Sequence, residues 1–138
     1  MRAVLDPNVL ISGLLSRTGK PARILEAFSL GELEIIVSPA LVSELERALS
    51  YPKLRTRIPP ADAETFIAWL TAGAESREDR PDPPAVHSQD PGDDYLIALA
   101  AAERAPLVSG DKHLLDLADR LPVLSPADFL DLLKSHGS

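Results

Sequence analysis

Residues 2–8 read RAVLDPN, a short apolar run followed by an acid, a proline and an asparagine. Short apolar runs are typical of buried strands, and proline lacks the N–H that a strand needs. We therefore expect the strand to close at Asp6 and to lead into a turn or a first helical turn. The first strand would then deliver an acidic side chain at its carboxyl end.

Outward from this stretch, strands and helices alternate along the chain. Further strands are predicted at residues 33–37, 107–109 and 122–124. Helices are predicted at residues 20–30, 39–50, 60–72, 95–102, 111–118 and 126–133. Residues 73–92 are rich in proline and charge, so we expect a loop there with a short strand near Ala85 to Ser88. The alternation predicts an α/β fold in which helices cover both faces of a parallel sheet.

Length and composition fit one folded domain that spans residues 1–138. The chain is 45% hydrophobic and 25% charged, which is the balance of an ordinary soluble domain. It has no cysteine, which excludes disulfides, thiolate metal sites and a cysteine nucleophile. No apolar run approaches the ~20 residues that span a bilayer. We therefore expect a cytoplasmic protein with no membrane partner.

The net charge of −7 is unevenly distributed. Residues 1–60 carry eight Lys and Arg against six Asp and Glu, whereas residues 61–138 carry six against fifteen. Binding to a nucleic-acid backbone depends on basic side chains that displace counterions, so the overall charge argues against binding by bulk electrostatics. Two local basic clusters remain, residues 53–57 and residues 17–23. Each either contacts phosphates or forms solvated surface.

Four acids stand where acids are not expected, on or beside apolar helical stripes or at a strand end. Glu44 precedes Leu45 on the inward face of its helix, Asp94 and Asp111 head two helices, and Asp6 closes the first strand. In an open parallel sheet, strand carboxyl ends and the following helix starts share one edge, where ligands bind. Asp6, Asp94 and Asp111 are therefore candidates for one cleft.

Carboxylates that are crowded and partly desolvated must bind protons, pair with cationic side chains or bind a metal ion. All-oxygen ligation selects hard cations, so Mg²⁺ or Mn²⁺ is expected before Zn²⁺. Taken singly, each acid has a structural alternative. Asp94 and Asp111 can stabilise helix amino ends, Asp6 can form a turn, and Glu44 can be a solvated flanking residue.

The motifs, taken in order, resemble those of PIN-domain ribonucleases, and most of all the VapC-like toxins of toxin–antitoxin pairs. They are DPNVLIS at residues 6–12, Ser38 with Glu44, DPGDD at residues 90–94 ahead of IALA at residues 97–100, and SGDK at residues 109–112. The resemblance covers nearly the whole chain. It implies a Rossmann-like three-layer sandwich with a parallel sheet of about five strands, and a homodimer.

The same resemblance implies a Mg²⁺- or Mn²⁺-dependent endonuclease that cleaves RNA and is restrained by an antitoxin protein. By position, Asp6, Glu44, Asp94 and Asp111 match the family's four catalytic and metal-binding acids. Small polar residues, Asn8 and Ser109, match positions that orient Asp6 and Asp111.

Neighbouring acids leave the third metal ligand open. Asp93 lies over the same apolar stripe as Asp94 and is an alternative ligand, and Asp90 is a further acid nearby. The expected mechanism is hydrolysis of a phosphodiester by metal-activated water.

Two other functions compete with the nuclease. One is a catalytically inactive PIN-like module that binds RNA or protein. The other is a receiver-type phosphotransfer domain, which is less favoured because the second strand ends in Val37 and Ser38 rather than in an acid.

Overall fold

The computed structural model describes residues 1–81, 84, 86–88 and 90–137. Within them, five parallel strands form one sheet in the order β3-β2-β1-β4-β5. The strands are β1 (Arg2–Leu5), β2 (Glu34–Val37), β3 (Glu75–Ser76), β4 (Leu107–Val108) and β5 (Val123–Leu124). This is the predicted α/β three-layer fold, with β1 at its centre.

Helices connect the strands and cover the sheet. Those in the described residues are α1 (Pro7–Leu15), α2 (Lys20–Ser29), α3 (Pro39–Leu49), α4 (Pro52–Arg55), α5 (Pro60–Gly73), α6 (Asp94–Glu103), α7 (Lys112–Leu115) and α8 (Pro126–Gly137). α6 packs across β1 and β4, while α1, α2 and α8 pack in series. No helix of the described residues is long and apolar enough to cross a membrane.

The core forms where apolar strands meet the inward stripes of the helices. Leu5, Ile35 and Ile36 on the central strands are fully buried, as is Phe129 on α8. Residues 96–100 of α6 are all buried, as expected for a helix that is apolar nearly all round. The acids at the start of α6 are therefore held by the best-buried helix of the fold.

Several element boundaries differ from the sequence predictions. The first helical turn expected after Asp6 opens a complete helix, α1, and the basic run overlaps the short helix α4. α7 ends at Leu115 rather than at residue 118, and α8 continues to Gly137.

The strand predicted near Ala85 is replaced by β3. Ala85 lies outside the described residues, and residues 86–88 are not in a strand. The edge strand instead has two residues, Glu75 and Ser76, which pair with Ile36 and Val37. A two-residue polar strand carries no apolar run, so periodicity could not reveal it.

Register brings the carboxyl ends of three strands together. Leu5 pairs with Val108, the Asp6 N–H donates to the Val108 carbonyl oxygen at 2.9 Å, and β2 ends at Val37 beside β1. The residues that follow, Asp6, Ser38 and Ser109, are all buried. The sheet thus presents three polar side chains along one edge.

Arg2 ties the opposite end of β1 to β3 and α6. Its guanidinium donates to the Glu75 carboxylate at 2.9 Å, to the Glu103 carboxylate at 2.7 Å and to the Glu103 carbonyl at 2.9 Å. Arg77 bridges the same two carboxylates at 3.1 and 3.2 Å from a more exposed position. The hydrogen bonds from Arg2 are the largest cause of the lowered pKa of Glu75, which falls to about 2.

We predict that Arg2→Met lowers the free energy of unfolding at pH 7 by roughly 1 kcal/mol, because two carboxylates lose their best cation while solvent still screens them. A carboxylate with a depressed pKa stabilises the fold above its ordinary pKa and loses that effect as the pH falls toward 2. The difference from wild type should therefore shrink on titration from pH 5 to pH 3 in urea unfolding experiments. Arg77→Met is the matched control and should cost less; an equal cost would contradict the assigned role of Arg2.

Candidate active site

Asp6 is the most deeply buried acid at the carboxyl edge of the sheet, with 4% of its surface exposed. The Ser109 hydroxyl donates to Oδ2 at 2.8 Å, and the Asn8 N–H donates to Oδ1 at 3.0 Å. The same Ser109 hydroxyl accepts from the Asp111 N–H at 2.9 Å. One serine therefore joins the end of β1 to the segment that carries Asp111.

Burial dominates the electrostatics of Asp6. It raises the pKa of this carboxyl, the bonds from Asn8 and Ser109 oppose the rise, and the charges of Asp111 and Glu44 add to it. The charges of Asp111 and Glu44 therefore both act on the Asp6 carboxyl.

A cavity of about 250 Å³ opens beside Asp6. Its charged lining comes from Asp6, Glu44, Asp90, Asp93 and Arg47. This acidic cleft lies between the amino end of α1, the middle of α3 and the segment that leads into α6.

The amino end of α3 is fixed by two oxygen acceptors, and this sets the direction of Glu44. Ser38 Oγ accepts from the Leu41 N–H at 3.3 Å, and Asp79 Oδ2 accepts from the Ala40 N–H at 2.9 Å. Capping of this kind stabilises the first turn. Leu41 and Leu45 are fully buried, so Glu44 lies at the edge of the buried stripe and reaches the cleft.

Glu44 is paired with a cation at the rim of the cleft. Arg47 Nε donates to Glu44 Oε2 at 3.0 Å, and Arg47 Nη2 contacts Oε1. The Arg47 guanidinium also hydrogen bonds to the Tyr51 hydroxyl and stands 5.4 Å from the centre of the Tyr51 ring. The sequence predictions missed Arg47, although its place three residues after Glu44 is a recognisable ion-pair spacing.

Asp93 faces the other acids of the cleft. Burial is the largest cause of its raised pKa, which reaches about 6, and the charges of Asp6, Asp90 and Asp111 add to the rise. Its Oδ2 is buried and has no hydrogen-bond partner among the described residues. An unpartnered buried carboxylate oxygen is costly unless a ligand satisfies it.

Asp94 has different partners. Its carboxylate accepts from the Ser88 N–H at 3.0 Å and lies 2.9 Å from His87 Nδ1. The bond with His87 is the largest cause of its lowered pKa. Asp94 fastens the preceding loop to α6 and is not among the residues that line the cleft. The alternative acid, Asp93, lines the cleft, and the metal-site role of Asp94 stays a prediction.

The local turn explains why periodicity alone could not separate the two acids. Asp90 Oδ1 accepts from the Gly92 N–H at 2.9 Å and starts a 3-10 helical turn over Pro91–Asp93. α6 begins only at Asp94. Asp93 therefore precedes the α-helix, where the side-chain directions of a regular helix do not apply.

Tyr95 is a polar group in the cleft that the sequence predictions did not identify. Its hydroxyl is buried and has no hydrogen-bond partner among the described residues. Burial is the main cause of its raised pKa, and the nearby charges of Glu44, Asp6 and Asp93 add to the rise. The hydroxyl therefore keeps its proton and is a hydrogen-bond donor beside the carboxylates.

Asp111 holds the start of α7. Its Oδ1 accepts from the His113 N–H at 2.8 Å, and its charge raises the pKa of both Asp6 and Asp93. In the part of the chain that the structure describes, no three Asp, Glu or His side chains converge closely enough to hold a metal ion in the present arrangement. The acids share one environment without forming a closed coordination shell.

Comparison with known proteins identifies the family of the chain. The sequence profile of the PIN domain matches residues 2–113. The chain belongs to the PIN-domain family. Proteins of this family are generally nucleases that use divalent metal ions. This membership supports a nuclease over the receiver-type phosphotransfer domain.

Individual relatives are distant. An uncharacterized protein of Methanocaldococcus jannaschii, MJ1680, is 27% identical over an alignment of 142 positions. The alignment covers 95% of this chain and 90% of that protein. The crystal structure of VapBC2 from Rickettsia felis, bound to a promoter DNA fragment, matches with a TM-score of 0.59 and 14% identity over 91% of this chain and 98% of that one. FitAcB from Neisseria gonorrhoeae matches with a TM-score of 0.59 and 17% identity over the same shares. These structures share the fold of this PIN domain.

The residues of the cleft fit a divalent cation in chemistry. Asp6, Asp93 and Glu44 line the cleft, and Asp111 lies outside its lining but interacts electrostatically with Asp6 and Asp93. All four offer only oxygen donors, which suit Mg²⁺ and Mn²⁺. The unpartnered Oδ2 of Asp93 is the specific observation behind this fit. To bind the ion, Glu44 would have to release Arg47. Rotation of the acidic side chains would have to bring their oxygens into one coordination shell.

We predict that Asp93→Asn raises the melting temperature of metal-free protein at pH 7.5 by about 2–4 °C, which corresponds to roughly 1 kcal/mol for a chain of this size. Partial solvent exposure keeps the effect at this level. Because the folded pKa of Asp93 is about 6, above its ordinary value, the wild-type fold loses stability as the pH rises from about 4 through 6. The gain should therefore disappear at pH 4 in thermal unfolding. A gain that is equal at both pH values would contradict the raised pKa of Asp93.

Proposed function

We propose that this PIN domain is a Mg²⁺- or Mn²⁺-dependent endoribonuclease and the toxin of a toxin–antitoxin pair. The observation that carries the proposal is the carboxylate of Asp6, buried at the end of the central strand and oriented by two hydrogen bonds. It shares its cleft with Asp93, which has an unpartnered buried oxygen. A negative pocket of this kind suits a cation that in turn binds a phosphate.

In this mechanism Asp6, Asp93 and Asp111 would hold the ion, with Glu44 bound directly or through water. The chemistry supplied by bound Mg²⁺ or Mn²⁺ is Lewis acidity toward a phosphodiester and activation of the attacking water. Ser109 orients Asp6 and positions the Asp111 backbone. The Tyr95 hydroxyl is available as a proton donor in a hydrogen bond to a cleft carboxylate or a substrate oxygen.

An antitoxin partner is proposed because the structural neighbours are the VapBC2 and FitAcB complexes. The homodimer, the cytoplasmic location and RNA as the substrate come from the family resemblance and belong to the same proposal.

One observation favours a second candidate, a PIN-like module that binds RNA or protein without cleaving it. Arg47 already neutralises Glu44, and the described acids do not form a closed shell. In that case the arginine would be a permanent substitute for the metal ion. Metal-dependent cleavage separates the two candidates.

We predict that the purified chain cleaves single-stranded RNA in Mn²⁺ or Mg²⁺ and not in EDTA. Asp6→Asn and Asp93→Asn should each lower the cleavage rate by at least about 100-fold. Replacing a residue that only orients a metal ligand lowers activity by up to about 100-fold, and loss of the ligand itself should cost at least as much. Asp94→Asn is the matched control, with the same chemical change one residue away, and should cost at most about tenfold. Cleavage is followed by gel electrophoresis of labelled RNA, and folding by circular dichroism.

Two results would overturn this assignment. Absence of cleavage by wild type in both metals would remove the nuclease and favour the binding module. Normal cleavage by Asp93→Asn with loss in Asp94→Asn would return the ligand role to Asp94.

A further inference from the structure

The densest basic run of the chain lies on an exposed surface next to the acidic cleft. Lys53 and Arg55 belong to α4, which has no buried residue, and Arg57 follows it. None of the three has an ion-pair partner among the described residues. Arg55 Nε donates to the Ser50 carbonyl at 3.0 Å, which fixes one of these cations against the end of α3.

Arg47 and Tyr51 connect this basic run to the cleft. Arg47 lines the cleft and hydrogen bonds to Glu44 inside it and to the Tyr51 hydroxyl outside it. Tyr51 is 46% exposed, a large fraction for an aromatic side chain, and α4 begins at the next residue. From Glu44 to the end of α3 at Leu49 the helix rises ~7 Å, and Tyr51 follows two residues later. Acidic cleft, arginine, aromatic ring and basic run are therefore contiguous.

We propose that Arg47, Tyr51, Lys53 and Arg57 form a track that binds single-stranded RNA and leads it into the acidic cleft. This basic track rests on the nuclease function proposed above. The basic track would hold the part of the RNA that lies outside the acidic cleft.

Charge explains why the chain would need such a track. The protein carries a net charge of −7 and its cleft is lined by acids, so neither attracts a polyanion. Binding must then come from local cations that replace counterions on a few phosphates. Lys53 and Arg57 are suited to this because no carboxylate of the described residues neutralises them.

The exposed ring favours a single strand over a duplex. An aromatic side chain stacks on a base only where that base is unpaired, and this contact tolerates any sequence. Arg47 stands over the same ring and would turn from Glu44 to a phosphate when Glu44 binds a cation. An acidic protein segment could also bind the two cations, and the experiment below separates it from RNA.

The test measures binding of a labelled 12-nucleotide single-stranded RNA by fluorescence anisotropy in the Asp6→Asn background, which prevents cleavage. Lys53→Gln with Arg57→Gln should weaken binding by about tenfold. It should also lower the slope of log Kd against log salt concentration by about 1.4, the value for two lost phosphate contacts on a single strand. Tyr51→Leu should weaken binding by about fivefold or more with no change in that slope.

The matched control is Arg120→Gln with Lys134→Gln, which removes the same charge elsewhere. Arg120 is exposed and precedes the amino end of β5, and Lys134 is exposed on α8 and lines a groove with Met1. Both lie toward the amino ends of the strands, opposite the cleft. The control should change the dissociation constant by less than about twofold and leave the salt slope unchanged.

Cleavage by the otherwise wild-type chain distinguishes failure of the track from failure of the nuclease. If RNA is cleaved in Mn²⁺, the double variant at Lys53 and Arg57 should raise KM by about tenfold with little change in kcat. Normal KM and RNA affinity in that variant would overturn the track and leave the nuclease standing. Loss of RNA affinity in that variant without any cleavage by wild type would support the track and overturn the nuclease.

Equal binding of duplex and single-stranded RNA would overturn the single-strand preference. If the double variant loses affinity for an acidic protein and keeps its affinity for RNA, the track belongs to that protein partner.

Discussion

The structure depends on one buried carboxylate at the end of its central strand. Burying the Asp6 charge is costly, and two donors offset part of that cost, the Asn8 N–H and the Ser109 hydroxyl. Asn8 is in the first turn of the following helix, and Ser109 follows the neighbouring strand. Strand pairing, helix start and site chemistry therefore meet at Asp6. The Ser109 hydroxyl beside it is placed by the end of β4.

The remaining acids add negative charge at this edge of the fold. The charge of Asp111 raises the pKa of both Asp6 and Asp93, and Arg47 forms an ion pair with Glu44 at the rim. The cleft therefore carries more negative charge than the one cationic side chain in its described lining, Arg47, can balance. In the proposed mechanism the negatively charged cleft binds an ion. The unpaired positive charges on the adjacent surface bind a polyanion.

Sequence reasoning could predict those features that depend on a single element. The strand end at Asp6, the inward edge at Glu44 and the order of alternating elements follow from local patterns and from family motifs. Asp93 could not be separated from Asp94, because the answer depends on a 3-10 turn that Asp90 initiates. β3 has two polar residues and exists only because it pairs with β2. The partners of Glu44 and Tyr95 depend on packing between elements, which no local pattern reports.

The most direct test of the acidic cleft as a cation site is calorimetric titration of Mn²⁺ into the metal-free protein at pH 6, in two buffers that differ in ionisation enthalpy. Because the pKa of Asp93 is raised to about 6, part of the Asp93 population is protonated at that pH and must lose its proton to bind the ion. We expect one binding event that releases protons, with a smaller release from the Asp93→Asn protein. Binding without proton release, or no binding at all, would contradict the account.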